Sequence, residues 1–256
     1  MITYSQIMIK YIFLVCVISA NIVAQVNTES LKNTNLSPGK HHSIAFHTTL
    51  NSGNSNYYSI SNEYRFDYIP ENKTKLRQFI VTKYNYSKSD TSIIKNNLFS
   101  HYRLIKKKNN KLSYEFFIQN ESDTFKELKN RFLFGLSRRK NNIIFKTLRI
   151  TVGIGLMNEY EKYSNQNSAS HALRMTNNFI ATKILNKTLH LYWINYYQPK
   201  LTNFSNYRIL SILELKNKIT KKIALSTILK YDYDGNTPSQ YSSSNIKLIQ
   251  KFKFKI

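Results

Sequence analysis

Residues 145–156 read FKTLRITVGIGL. Lys146, Leu148, Ile150, Val152, Ile154 and Leu156 share one side of a two-residue period, and Phe145, Thr147, Arg149, Thr151, Gly153 and Gly155 share the other. Successive side chains of a strand point to opposite faces, so this stretch is a strand with one apolar face. Residues 246–256, IKLIQKFKFKI, repeat the pattern, with Ile246, Leu248, Phe252, Phe254 and Ile256 set against Lys247, Lys251, Lys253 and Lys255. A face carrying that many lysines leaves no room for a packed soluble core beneath it.

Extending this reading in both directions divides 43–256 into about twelve strands. They lie near 43–50, 57–68, 74–86, 92–104, 111–120, 129–138, 143–158, 170–184, 187–197, 206–215, 222–233 and 246–256. Many reach the roughly nine to eleven residues that a tilted membrane-crossing strand requires, against about five or six in soluble sheets. The connections alternate in kind. Short basic turns are expected at 70–73, 106–110, 138–142, 185–187 and 216–222, and mostly longer polar loops at 51–56, 87–91, 121–126, 159–169, 198–206 and 234–245. An even strand number with short turns on one side and longer loops on the other predicts an all-β, antiparallel transmembrane β-barrel. Tyrosines such as Tyr58, Tyr86, Tyr197, Tyr207 and Tyr233 gather near strand ends, where aromatic rings favour the membrane–water boundary.

The N-terminus predicts export. Lys10 precedes the apolar run 11–20, and small residues lead to Ala24, which reads as a signal peptide over 1–24 with the mature chain starting at Gln25. Residues 25–42 then form a short periplasmic lead, and 43–256 the barrel. The run is too short for a spanning helix, and no later stretch of 18 apolar residues occurs. Cys16 is the only cysteine, so neither a disulfide framework nor a cysteine-based zinc site is available. The residue before it, Val15, argues against a lipoprotein site.

Several local patterns together resemble a family. They are Ser52-Gly-Asn-Ser, Asn85-Tyr-Ser-Lys, Phe117-Ile-Gln-Asn-Glu with the following Leu128 and Arg131, Val152-Gly-Ile-Gly with Glu159, and Tyr196-Tyr-Gln-Pro. In order and spacing the chain from 43 to 256 is similar to the salt-induced outer-membrane proteins, a family that carries domain of unknown function 481. The resemblance implies an outer-membrane β-barrel of a Gram-negative bacterium, of unsettled biochemical role and with no catalytic residues to carry over. One departure is the terminal residue, Ile256, where such barrels usually end on an aromatic.

Composition narrows the chemistry. Lys and Arg number 38 against 14 Asp and Glu, a formal net charge of +24. An Arg or Lys in lipid costs about 2–4 kcal/mol near the midplane and an Asp or Glu somewhat less, so those on the strands belong in the lumen. The expected lumen network is Glu63, Arg65, Asp67, Arg77, Lys83, Arg103, Glu115, Arg131, Arg149, Arg174, Arg208 and Glu214, joined by Lys95, His101, Glu121, Lys230, Asp232, Lys247, Lys251 and Lys253. Its basic residues outnumber its acidic ones, so the lumen reads either as an ion-paired filling or as a narrow, anion-preferring conduit.

No nucleophile stands beside a base in a recognisable triad, which predicts a non-enzymatic protein. Ser170-His171 is the nearest candidate. His41-His42 lacks a third ligand, so neither a metal nor a cofactor is expected. Export and the scatter of basic residues through turns exclude nucleic acid as the acidic partner. Anionic lipid headgroups at a basic inner rim, and the barrel-assembly machinery acting through the C-terminal strand, are the expected partners. A secreted soluble β-barrel that binds a small ligand, or a lipid-modifying outer-membrane enzyme, are the alternatives left open.

Overall fold

The computed structural model describes residues 28–29, 36–52, 56–73, 75–90, 92–220, 223–236 and 243–254; the signal peptide expected at 1–24 and its cleavage point lie outside them. Thirteen strands follow in chain order: β1 (Gly39–Asn51), β2 (Tyr57–Ile69), β3 (Leu76–Ser89), β4 (Ser92–Lys107), β5 (Leu112–Asp123), β6 (Leu128–Phe145), β7 (Leu148–Tyr163), β8 (Ser170–Met175), β9 (Asn177–Ile184), β10 (Leu189–Lys200), β11 (Asn203–Lys218), β12 (Ile223–Asp234) and β13 (Ser244–Phe254). All belong to one sheet in which sequence neighbours pair antiparallel. The strands β8 and β9 are one stave interrupted at Thr176, because both keep the same register on β7, with Leu156 opposite Met175 and Gly153 opposite Asn178. The sheet is therefore twelve staves wide, as the alternation predicts.

Several boundaries differ from the sequence reading, because strands run on into stretches expected to be connections. Residues 39–42, assigned to the lead, are the start of β1 and pair with the end of β2. The turn expected at 138–142 is not a turn: β6 runs through it for 18 residues, and the reversal falls at Lys146 and Thr147. The basic, Asn-containing stretch imitates a turn. The strand instead absorbs its irregularity as a shift in register between Lys140 and Ile143, with Asn142 at φ 55°.

Burial is inverted relative to a soluble sheet. Outward positions carry Ile44, Phe46, Phe134, Leu136, Ile154, Leu156, Ile246 and Leu248, all exposed, with Ile44 at 79%. Inward positions bury Asp67, His101, Arg103, Glu115, Arg131, Glu159, Glu161, Arg174, Arg208 and Asp234. An apolar face of this extent is stable only against lipid, which answers the soluble alternative. Tyr207 lies 5.8 Å from Tyr197 and 4.9 Å from Tyr233, forming an outward aromatic group at the ends of β10, β11 and β12.

The sheet rolls far enough for distant strands to touch through its interior. Arg131 on β6 reaches Asp234 on β12 at 3.3 Å, and Arg208 on β11 pairs with Glu161 on β7 at 2.7 Å. Among the described residues no ladder joins β1 to β13. We call the end where β1 begins and β13 finishes the terminal rim, and the opposite end the loop rim.

Buried apolar clusters also line the lumen wall, which charge counting did not anticipate. Phe79, Val81, Phe99 and Ile105 form one buried cluster, and Phe117, Leu133 and Met157 another. Gly135 faces Phe117 across β5 and β6, and a Cβ there would lie 2.7 Å from the ring. Absence of a side chain on β6 lets the phenylalanine lie flat against the wall.

Candidate functional site

Charged side chains fill the lumen in two belts. The loop-side belt comes from the ends of strands that meet that rim. Arg208 lies at its centre: its Nε donates to Asp234 Oδ1 at 2.8 Å, its Nη2 to Glu161 Oε1 at 2.7 Å, and its Nη1 to Glu159. Arg174 binds the other oxygen of Glu159 at 2.8 Å and Asn206 Oδ1 at 2.9 Å. Arg131 binds Glu161 at 2.5 Å and stands 3.7 Å from Glu121. Asn236 donates to the second oxygen of Glu161 at 2.8 Å. Three guanidinium groups thus interlock with four carboxylates, and every arginine touches more than one strand. Buried charge is tolerated only when paired and hydrogen-bonded in this way.

The belt nearer the terminal rim is built on Arg103 of β4 and Arg139 of β6. Arg103 Nη1 lies 3.2 Å from Glu115 Oε2, and its Nε donates to His101 Nε2 at 3.2 Å. Arginine can only donate, so His101 Nε2 accepts, and its Nδ1 carries the proton that reaches Gln119 Oε1 at 3.2 Å. The His101 ring stacks between Phe99 and Phe117, with centroids 6.1 Å from each. This belt also holds a piece of the lead. Glu29 accepts from Arg139 Nη1 at 2.5 Å and Nη2 at 3.0 Å, and from Arg103 Nη1 at 3.3 Å. Its backbone N–H donates to the Tyr196 hydroxyl at 3.0 Å, and Thr28 Oγ1 accepts from Arg103 Nη2 at 2.7 Å. Between the belts a cavity of about 40 Å3 remains, bordered by Glu29, Arg103, Met157, Tyr196 and Arg208. That space suits a few water molecules and no larger solute.

The remaining expected lumen residues lie elsewhere on the inner wall. Asp67 accepts from Arg65 at 2.5 and 2.8 Å and from Arg77 at 2.8 Å, near the terminal rim, with the Arg65 guanidinium 4.9 Å above the Phe79 ring. Lys83 and Glu63 pair at 2.8 Å in a wetter position, 35% and 40% exposed. Arg149 is exposed at the start of β7 and Glu214 half-buried on β11; neither has an ion pair among the described residues. The belts therefore gather Arg103, Glu115, Arg131, Arg174 and Arg208, but not Arg149 or Glu214.

Sequence reasoning missed Glu159, Glu161 and Asp234, which it placed in loops, Arg139, which it placed in a turn, and Glu29, which it placed in the lead. A signal existed for most of them. The odd positions of β7 run from Gly153 through Met157 to Glu159 and Glu161, so continuing the two-residue period beyond 158 reaches both carboxylates. The same extension finds Arg139 from Arg131 and Asp234 from Lys230 and Asp232. Nothing local marks Glu29.

The enzymatic candidate does not assemble. Ser170 and His171 are consecutive in β8 and so point to opposite faces, and the His171 ring packs on Tyr160 at 5.0 Å. His41 and His42 are divided likewise, one bonded to the Ser37 carbonyl and the other to the Tyr64 hydroxyl. Among the described residues no cluster of three or more His, Cys, Asp or Glu could hold a metal ion.

An antiparallel sheet that is apolar outside and ion-paired within defines a transmembrane β-barrel of the outer-membrane type. The chain belongs to the family described as protein of unknown function, DUF481, whose profile matches residues 44–254. Among curated proteins no match was found. Solved structures similar to this chain include the KdgM porin, at 11% identity over 85% of this chain and 99% of that one with a TM-score of 0.42. The NanC porin is similar at 12% identity over 85% and 99%, TM-score 0.45. The translocator domain of the autotransporter NalP from Neisseria meningitidis matches at 9% identity over 85% and 87%, TM-score 0.42. The barrel description stands on this chain's own pairing and burial.

Proposed function

We propose that this protein is a non-enzymatic outer-membrane barrel of a Gram-negative bacterium, held closed by its own ion pairs instead of serving as an open pore. The observation that carries this reading is the pair of belts, which between them leave a cavity of only about 40 Å3. The loop-side belt ties β6, β7, β8, β11 and β12 together through Arg131, Arg174 and Arg208. Such cross-lumen links fix the shape of a narrow barrel, as side chains do in small barrels generally. Export by the 1–24 signal peptide places the short-turn rim in the periplasm. Lys106, Lys107 and Lys108 there meet anionic lipid headgroups, and β13 engages the barrel-assembly machinery.

Planar-bilayer recording tests the closed lumen. The purified barrel gives no sustained conductance, or only brief small events when an ion pair breaks. Steady porin-like current overturns the reading. Were such current anion-selective, the narrow-conduit alternative would replace it.

A further inference from the structure

The two residues of the lead described inside the barrel sit where a bound ligand would sit. Glu29 comes from far outside the sheet in sequence, 74 residues from Arg103 and 110 from Arg139. Yet its side chain is only 8% exposed, and both its oxygens are engaged. Arg139 grips the carboxylate with two parallel N–H groups, the geometry by which arginine recognises planar oxyanions. Arg103 adds a third contact, and Tyr196 binds the neighbouring backbone amide. These wall groups are themselves rigidly held. Arg103 is braced by His101 and Glu115, and Arg139 Nε lies 3.4 Å from Glu115 Oε1. Without Glu29, Glu115 is the one carboxylate that the described residues set against Arg103 and Arg139, and one buried positive charge loses its counter-ion.

We propose that Arg103, Arg139 and Tyr196 form a carboxylate-binding site in the lumen wall, filled by Glu29 of the chain itself and able to take a soluble carboxylate in its place. This rests on the closed-lumen reading, since a wet open pore would screen the charge. The preferred ligand is a small molecule with one planar carboxylate next to a hydrogen-bond donor, because the Glu29 carboxylate and amide N–H present that pair to Arg139 and Tyr196. Glu115 disfavours a second negative charge close by, which sets monocarboxylates above dicarboxylates and phosphate.

The test uses the full mature chain in detergent, read by the temperature at which heat-modifiable migration is lost. Glu29→Ala lowers that temperature by about 5 °C or more, since one unsatisfied buried charge is a large defect for a chain of this size. Added sodium acetate, which matches the side-chain fragment removed, restores most of the loss in Glu29→Ala and changes the wild type little, while sodium chloride at equal ionic strength restores none. The rescue disappears in Glu29→Ala combined with Arg139→Met, or needs at least tenfold more ligand. Glu29→Ala behaving as wild type overturns the site, as does equal rescue by chloride, or equal stabilisation of wild type and variant by the carboxylate. Bilayer current recorded on the wild type reports separately on the closed lumen, so loss of that reading and loss of this one are distinguishable.

Discussion

Replacing Arg208 by leucine removes the centre of the loop-side belt. In the native barrel three arginines face Glu121, Glu159, Glu161 and Asp234, and the Arg208 side chain is 2% exposed. The substitution takes away all its pairs at once. Glu159 keeps Arg174, and Glu161 and Asp234 keep Arg131, so no carboxylate is stranded outright. Two guanidinium groups, with Lys126 at 4.0 Å from Glu121, must nevertheless balance four buried carboxylates. Breaking a buried pair by removing one partner costs about 3–5 kcal/mol, and the remaining partners place this case near 3. That is roughly two powers of ten in the folding equilibrium. The control is Lys83→Leu, which breaks the Glu63 pair in its wetter position and costs about 0.2–1 kcal/mol. Urea titration of both variants refolded into lipid vesicles, followed by heat-modifiable migration, gives the comparison. Adding Glu161→Gln to Arg208→Leu should recover part of the loss by relieving the excess of negative charge. Equal midpoints for Arg208→Leu and Lys83→Leu would refute the reasoning, because burial would then have no bearing on what an ion pair contributes.

Three further outcomes follow from the wall. Gly155→Val should lower the refolded fraction several-fold on a gel, because a Cβ at that position overlaps the Leu136 carbonyl and approaches Ser137 Cβ to 2.6 Å, both on β6; normal yield would mean the β6–β7 contact is looser than described. Deleting 246–256 strips β12 of its outer neighbour along most of its length and exposes unpaired backbone to lipid. Membrane insertion and heat-modifiable migration should both be lost, and a normally inserted truncation would show that β13 is dispensable. Reversing Lys106, Lys107 and Lys108 to Glu should reduce copurified anionic phospholipid, each close lysine contributing on the order of 1 kcal/mol to headgroup attraction, and unchanged lipid content would count against the basic rim.

Much of this protein is decided residue by residue. The alternation in 145–156 and 246–256 marks strands and separates outward Ile154, Leu156 and Leu248 from inward Gly155 and Lys247, because a strand's two-residue period is a property of its own backbone. It likewise places 170–184 as one stave and puts Arg131, Arg174 and Arg208 on the lumen side. Where strands stop was less legible: polar ends such as Glu159 to Tyr163 and Arg138 to Asn142 look like connections, although pairing with a neighbour carries them on as strand. Which charges meet was settled by tertiary structure. Arg131 finds Asp234 103 residues away and Arg139 finds Glu29 110 residues away because the sheet rolls and opposite walls come within side-chain reach. Curvature, stave stagger and the seating of Thr28 and Glu29 arise from all the strands together, so no local window of sequence contains them.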